Sequence, residues 1–282
     1  GSATRLTTGR KNVAVGQSAL YTNTTGADNT AVGKDALIAN TTGASNVAVG
    51  YLALDANTTA SYITAVGEKA LSANTTGAKN TAIGRATLQA TTTQSNNTAV
   101  GYNSLSGGSN TAAGNTAVGA ETLEANTTGA NNVAVGLTAL QANTTASNNT
   151  AVGKSALVAN TTGANNTALG YTALATNITG NYNTALGYRA LTTTTAGNNT
   201  AVGHDALYLT TTGDANVAVG VGALDANTTG ANNTGLGWGA LGLNTTGSDN
   251  VAIGRDSVRS NTTASNNVGV GINALYAHCL KL

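Results

Sequence analysis

The sequence predicts an all-β fold, a parallel β-solenoid (β-roll) of sixteen coils of about 17 residues, and three observations carry that expectation. The first is a repeat. The string Ala-Val-Gly, or a near variant, ends at Gly16, Gly33, Gly50, Gly67, Gly84, Gly101, Gly119, Gly136, Gly153, Gly170, Gly187, Gly203, Gly220, Gly237, Gly254 and Gly271. Thirteen of the fifteen intervals are 17 residues, one is 18 (Gly101 to Gly119) and one is 16 (Gly187 to Gly203). A unit this short cannot bury its own apolar face, so the copies must stack. The second is period-2 alternation just before each glycine, the pattern of a strand. The third is composition. Pro, Met and Phe are absent, there is one Trp, and charged residues are only 8%, which excludes an ordinary core of large side chains. Yet 40% apolar content is too much for a charge-rich disordered chain.

The chain is read as a lead-in over residues 1–11, a repeat domain over 12–276 and a tail over 277–282. The consensus is N-T/V-A-V-G-x-x-A-L-x-A-N-T-T-G-A-N, and positions are counted from its invariant glycine as zero. Position −3 is Thr or Val, −1 is Val, Ile or Leu, and −2 is Ala in fourteen units. Position +4 is Leu in fifteen units and Val258 in the other, while +3 is Ala in twelve. The expectation is one short strand ending in Gly, a bend, and a second segment carrying Leu. Stacked in register, Val lies on Val and Leu on Leu, with Val135, Val152, Leu140 and Leu157 as inward ladder positions. Sixteen coils at the ~4.8 Å strand spacing make a rod about 75 Å long. A small −2 residue in every unit predicts that this side of the strand meets a second layer, the far wall of the coil or another subunit.

The N-T-T-G-A-N stretch reads as the next corner. Asn occupies +7 in eleven units and Gly occupies +10 in ten, and both tolerate left-handed backbone. Stacked Asn amides can bond their own copies. A short helix over x-x-A-L-x-A-N is the alternative, but six residues are under two turns and β-branched Thr follows. Eleven of these corners formally match the N-x-[ST] glycosylation acceptor, against which stands a structural Asn ladder. Between Gly101 and Gly119 the strand motif occurs twice, at Asn110–Gly114 and Asn115–Gly119, and the N-T-T corner is missing. This reads as a short coil with a bulge or kink.

The units N-V-A-V-G at Asn46–Gly50 and Asn132–Gly136, and N-V-A-I-G at Asn250–Gly254, resemble the YadA-like head repeat of trimeric autotransporter adhesins, with related repeats in phage tail fibres. The resemblance runs from Asn12 to about Leu275. It implies a left-handed β-roll assembled as a homotrimer, exposed outside the cell and used for adhesion. The family coil is shorter than this one, and neither its heptad stalk nor its membrane anchor occurs here.

Function is then sought at the positions that the ladders leave free. Of 23 charged residues, fifteen fall at +1, +2 or +5. Tyr51, Tyr102, Tyr171, Tyr188, His204 and Trp238 all occupy +1, and Tyr21, Tyr208 and Tyr276 occupy +5. They form either a contact stripe for a surface ligand, such as a glycan or matrix protein, or a solvated face whose charges suppress aggregation. No catalytic residue, cofactor or metal is expected. His278–Cys279 has nothing to orient it, the acidic pairs Glu121/Glu124 and Asp205/Asp225 are sparse for a sugar-cleaving site, and no phosphate-loop pattern occurs. A net charge of +1 gives no reason for nucleic acid as a partner, and no apolar run is long enough for membrane insertion. The expected function is a non-catalytic extracellular structural or adhesive fibre, on a cell surface or phage or secreted. A filament polymerising head to tail is the alternative, since both flanks are too short for a helical cap. Arg5, Arg10, Lys11 and Lys281 are all basic, so the joint expected is backbone pairing of Val13–Val15 with Val268–Val270 and not charge attraction. Ice binding is less favoured, because neighbouring Thr residues point to opposite faces and leave a single-file Thr ladder.

Overall fold

A computed structural model describes residues 8–108 and 111–276. The chain divides into two compact units, Gly1–Thr145 and Ala146–Leu282. The first carries β1 (Val13–Val15), β2 (Thr30–Val32), β3 (Val47–Val49), β4 (Thr64–Val66), β5 (Thr81–Ile83), β6 (Thr98–Val100), β7 (Thr116–Val118) and β8 (Val133–Val135). The second carries β9 (Thr150–Val152), β10 (Thr167–Leu169), β11 (Thr184–Leu186), β12 (Thr200–Val202), β13 (Val217–Val219), β14 (Thr234–Leu236), β15 (Val251–Ile253) and β16 (Val268–Val270). Within each unit, consecutive strands pair in parallel and in register, for example Val118 on Val135 and Val152 on Leu169. Each coil therefore contributes one three-residue strand to a β-solenoid. The remainder of each coil is turn, held by bonds to its neighbours such as Leu20 N–H to Ala36 O at 3.0 Å and Thr24 N–H to Thr41 O at 2.9 Å.

The strand faces the opposite way from the one read off its branched residues. From the second coil on, the −2 alanines, Ala134 and Ala151 among them, are fully buried, and so are Leu140 and Leu157 at +4. Val135 and Val152 stack in their ladders but stand half-exposed on the outside of the coil. The reason is width. The coil is too narrow to hold both a branched −1 residue and the +4 Leu, and the small residue is the one that fits beneath the leucine. Gly235 shows the clearance, since a Cβ there would lie 3.3 Å from Leu224 Cδ1. The small −2 face thus meets the far wall of its own solenoid.

Two asparagine columns complete the interior. At +7, Asn40 Nδ2 donates to Asn23 Oδ1 at 2.8 Å, and Asn57 Nδ2 donates to Asn40 Oδ1 at 2.9 Å. At −4, Asn29 N–H donates to Asn12 Oδ1 at 2.9 Å, and Asn46 N–H to Asn29 Oδ1 at 3.0 Å. Both columns converge on the carbonyl at +10, where Gly43 O accepts from Asn29 Nδ2 at 2.8 Å and Asn40 Nδ2 at 3.0 Å. A buried amide needs this many partners, and the stacking supplies them. Where the +7 column is interrupted, the accounts fail to close: Thr91 follows Asn74, and both Asn74 Oδ1 and Thr91 Oγ1 are buried without a hydrogen bond. The +7 asparagines of the N-x-[ST] corners are buried in this way, which favours their ladder role over glycan attachment.

No helix forms among the described residues. The Ala-Leu segment is instead a tight turn in which +2 and +4 are both left-handed, with Leu140 at φ 52° and Leu157 at φ 52°. Left-handed backbone costs a leucine about 1–2 kcal/mol, whereas burying its side chain contributes about 1.5–3 kcal/mol. Burial wins, and leucine stays where conformation alone would place glycine. The invariant glycine has a different cause. Gly50 has φ 136°, and a Cβ there would stand 2.5 Å from the carbonyl oxygen of Gly67 in the next coil.

The irregular coils keep the strand and absorb their length in the corner. β6 and β7 pair Thr98 with Thr116, Ala99 with Ala117 and Val100 with Val118, so no bulge interrupts the sheet. Of the doubled motif, only Asn115–Gly119 delivers a strand. Thr111, Ala112 and Gly114 serve the preceding corner, with Ala112 O accepting from Asn97 Nδ2 at 3.0 Å in the role of the usual +10 residue. In the 16-residue coil, β11 and β12 likewise pair Thr184 with Thr200.

Candidate functional site

The repeat fixes where variable chemistry appears. Positions +1, +2 and +5 flank the glycine corner and the buried Leu, so their side chains emerge together beside the strand. One coil advances the column by one strand spacing, about 4.8 Å. That distance lets planar side chains at the same position stack on one another.

In the second unit, three of the aromatic candidates do so. The Tyr171 and Tyr188 ring centroids are 5.3 Å apart and the Tyr188 and His204 centroids 5.0 Å, with the rings within 14° of parallel. Arg189 lies over Tyr208 at 4.4 Å and Tyr188 at 5.3 Å. Its fork grips Asp205 through Nε at 2.7 Å and Nη2 at 2.6 Å, and that hydrogen bonding pushes the guanidinium pKa further up. His204 Nδ1 is 3.2 Å from Asp205 as well. Asp205 is therefore held by Arg189 with His204 beside it, and its charge adds a small upward push to the pKa of Asp225.

Trp238 sits apart from that stack, since Val221 occupies +1 between it and His204. Its ring is covered on one side by Arg259, whose guanidinium lies 5.2 Å from the ring, and the residue remains 49% exposed. Arg259 Nη1 in turn donates to Asp256 Oδ1 at 2.5 Å. Beside Trp238 is a hollow of about 130 Å³ lined by Val221, Gly222, Asp225, Gly239, Gly242, Leu243 and Arg259. Asp225 is half-buried here, and desolvation raises its pKa above the ordinary value, against a lowering by the backbone N–H groups of Ala226 and Asp225 and by Arg259.

The first unit spreads its candidates. Tyr51 and Tyr102 are three coils apart and each meets a cation instead of another ring: Lys34 lies 5.7 Å from Tyr51 and Arg85 lies 5.7 Å from Tyr102. Glu68 and Arg85 pair at 3.4 Å on the surface. Glu121 and Glu124 are bridged by one amide, Gln141 Nε2, at 3.3 and 2.8 Å. Among the described residues no three His, Cys, Asp or Glu side chains gather as metal ligands. His278, Cys279 and Lys281, and Arg5 at the other end, lie outside the described residues.

Sequence reasoning missed two things. One is the hollow, whose signal was legible: across the sixteen units, Gly occurs at +2 only as Gly222 and Gly239, and at +5 only as Gly242. The other is the outward strand face. Ile83 (40% exposed), Leu169 (44%), Leu186 and Ile253 line up with Val135 and Val152 in columns outside each unit, beside a parallel column of Thr and Val at −3. No family model and no curated protein matches the chain.

Proposed function

We propose that this protein is a non-catalytic structural or adhesive fibre that works outside the cell and self-associates through the outer face of its strands, as a homotrimer. The observation that carries the reading is the in-register column of Val, Ile and Leu at −1, left half-exposed along each unit. Soluble monomers rarely keep a contiguous apolar patch of this kind open, and such a patch marks an association surface. The similarity of N-V-A-V-G to the head repeat of trimeric adhesins supports three copies, with the +1, +2 and +5 side chains turned to the surroundings. The test is mass in solution by light scattering followed by negative-stain microscopy. A trimer that Val152→Lys and Leu169→Lys together dissociate is expected. A monomer at high concentration overturns the reading, and growing filaments replace it with head-to-tail assembly.

One observation favours a second reading. Both strand columns, −3 and −1, face outward, so the face is two residues wide and mixes Thr hydroxyls with branched methyls. The hydroxyls stay in single file at −3, but a column of methyls at −1 flanks them and widens the regular face. Thermal hysteresis in a monomeric preparation would support that reading in place of the trimer.

A further inference from the structure

We propose that the hollow beside Trp238 is a binding site for one pyranose ring of a neutral glycan. The proposal rests on the adhesive reading above and gives it a ligand class and an address.

The hollow is made by omission. At +2 and +5, where every other coil carries a side chain, three glycines coincide over two successive coils, Gly222, Gly239 and Gly242. Left-handed backbone accounts for glycine at Gly222 (φ 61°) and Gly239 (φ 62°), though non-glycine residues fill the +2 position elsewhere with the same sign of φ. It does not account for Gly242, which has no positive φ. A Cβ at Gly242 would lie 3.1 Å from Gly239 O, 3.4 Å from Asp225 Oδ1 and 3.5 Å from Gly222 O, so a side chain there would stand against atoms that line the hollow. The missing side chain leaves a gap at +5 between the Asp225 carboxylate one coil before and Arg259 one coil after.

The walls then match a sugar. Trp238 offers an aromatic surface, Val221 and Leu243 add apolar sides, and Asp225 and Arg259 stand at opposite ends of the Gly242 gap. A pyranose has a face of C–H groups that packs on an aromatic ring and a rim of hydroxyls that both donate and accept. Asp225 can accept two such hydroxyl bonds, and the Arg259 fork has five N–H donors, of which the bond to Asp256 uses an Nη1 hydrogen. Opposed charges make the hollow a poor host for ions. A cation resting on Trp238 would meet Arg259, and an anion would meet Asp225 with Arg259 already paired. The volume of about 130 Å³ is below the ~300–1,000 Å³ of pockets for drug-sized ligands and suits a single ring with the rest of the chain outside.

Trp238 is the sole tryptophan, so its fluorescence reports directly on the site. The purified protein is titrated with the methyl glycosides of galactose, glucose, mannose and N-acetylglucosamine, and separately with choline and with sulfate. A saturable emission change with at least one glycoside is expected. Calorimetry with that glycoside should then show binding at least tenfold weaker in Trp238→Ala, Gly242→Gln and Asp225→Asn, and unchanged in Tyr102→Ala. Ala and Gln already occupy these positions in other coils (Ala120, Gln89), so the scaffold accepts them, and melting curves check each variant. Should any variant fail to fold, Asp225→Asn, which keeps size and shape, still decides. No response to any glycoside, a response to choline or sulfate alone, or binding indifferent to all three substitutions overturns the site. Mass measured on the same sample keeps the two proposals separate: a trimer blind to sugars refutes only the site, and a sugar-binding monomer refutes only the trimer.

Discussion

The two units share one coil and finish it differently. In Gly1–Thr145 the +1 column alternates chemistry, Lys34, Tyr51, Glu68, Arg85, Tyr102, so each of these rings meets a cation, Glu68 pairs with Arg85, and Lys34 pairs with Asp35 at +2. In Ala146–Leu282 the same column runs Tyr171, Tyr188, His204 as a continuous stack, then opens into the hollow by Trp238. The inward positions do not follow this difference: Leu140 and Leu157 have the same burial and the same φ. A repeat that supplies its own core leaves its outward positions unconstrained by packing. The two units can then diverge in surface chemistry at no cost to the scaffold, which is the arrangement expected where loops or edges carry recognition on a rigid frame.

That separation is most severely tested at the shared core. Leu140→Asp in the first unit and Leu157→Asp in the second should each cost several kcal/mol, because a buried carboxylate without a partner replaces apolar contacts. Equal losses in thermal stability are expected from the two variants, and native stability in either would refute the common interior. The next test contrasts adjacent residues. Ala151→Leu should cost about 1–3 kcal/mol by overpacking against the leucine column, while Val152→Leu, one residue along but outside, should stay within about 0.5 kcal/mol. Ala134→Leu and Val135→Leu should repeat the pattern in the first unit. A larger effect from the valine changes would restore the inward-valine arrangement.

A gain is expected where the asparagine ladder is broken. Thr91→Asn places a donor against the orphaned Asn74 Oδ1, and about 1 kcal/mol of stabilisation should follow, read as a higher melting temperature. Thr210→Asn in the second unit should gain less, because its predecessor in the column is Thr194 and no orphaned amide oxygen waits there. Failure of Thr91→Asn to stabilise would mean that the ladder bonds contribute nothing net.

The smallest effect concerns two aspartates in one register, Asp55 and Asp225, both at +5. Burial raises the Asp55 pKa above 3.8, against lowering by the backbone N–H groups of Asp55 and Ala56, and its Oδ1 has no hydrogen bond. A carboxyl with a raised folded pKa favours the folded state below its unfolded pKa of about 4, and that contribution is lost as pH rises through the raised value. Asp55→Asn should therefore melt higher than the parent at pH about 7 and lose that advantage near pH about 3. Asp225→Asn should behave alike in the second unit. An advantage independent of pH would show that packing, not charge, causes it.

How much of this was legible from residues alone differs by position. Every strand lies where the three residues before each glycine placed it, the +4 leucines are buried in every coil but the last, and the +7 asparagines form the expected ladder. The −4 asparagines passed unnoticed because a polar residue beside a strand reads as a turn, and only a stacked neighbour makes its burial affordable. The left-handed leucines were illegible for a related reason. Local preference argues against them, and the compensation comes from a core that exists only after stacking.

The sequence by itself determined the period, the strand positions and the columns in which variation is allowed, because a strict repeat translates directly into a strict register. Which face of the strand turns inward was decided by the tertiary structure. Alternation supplies two faces and no sign, and the choice fell to volume: alanine fits under the opposing leucine and valine does not. The gathering of Tyr171, Tyr188 and His204, and of Asp225, Trp238 and Arg259, was decided the same way. These residues are 16 or 17 positions apart or a few positions off that spacing in the chain, and only the stacking of coils makes them neighbours.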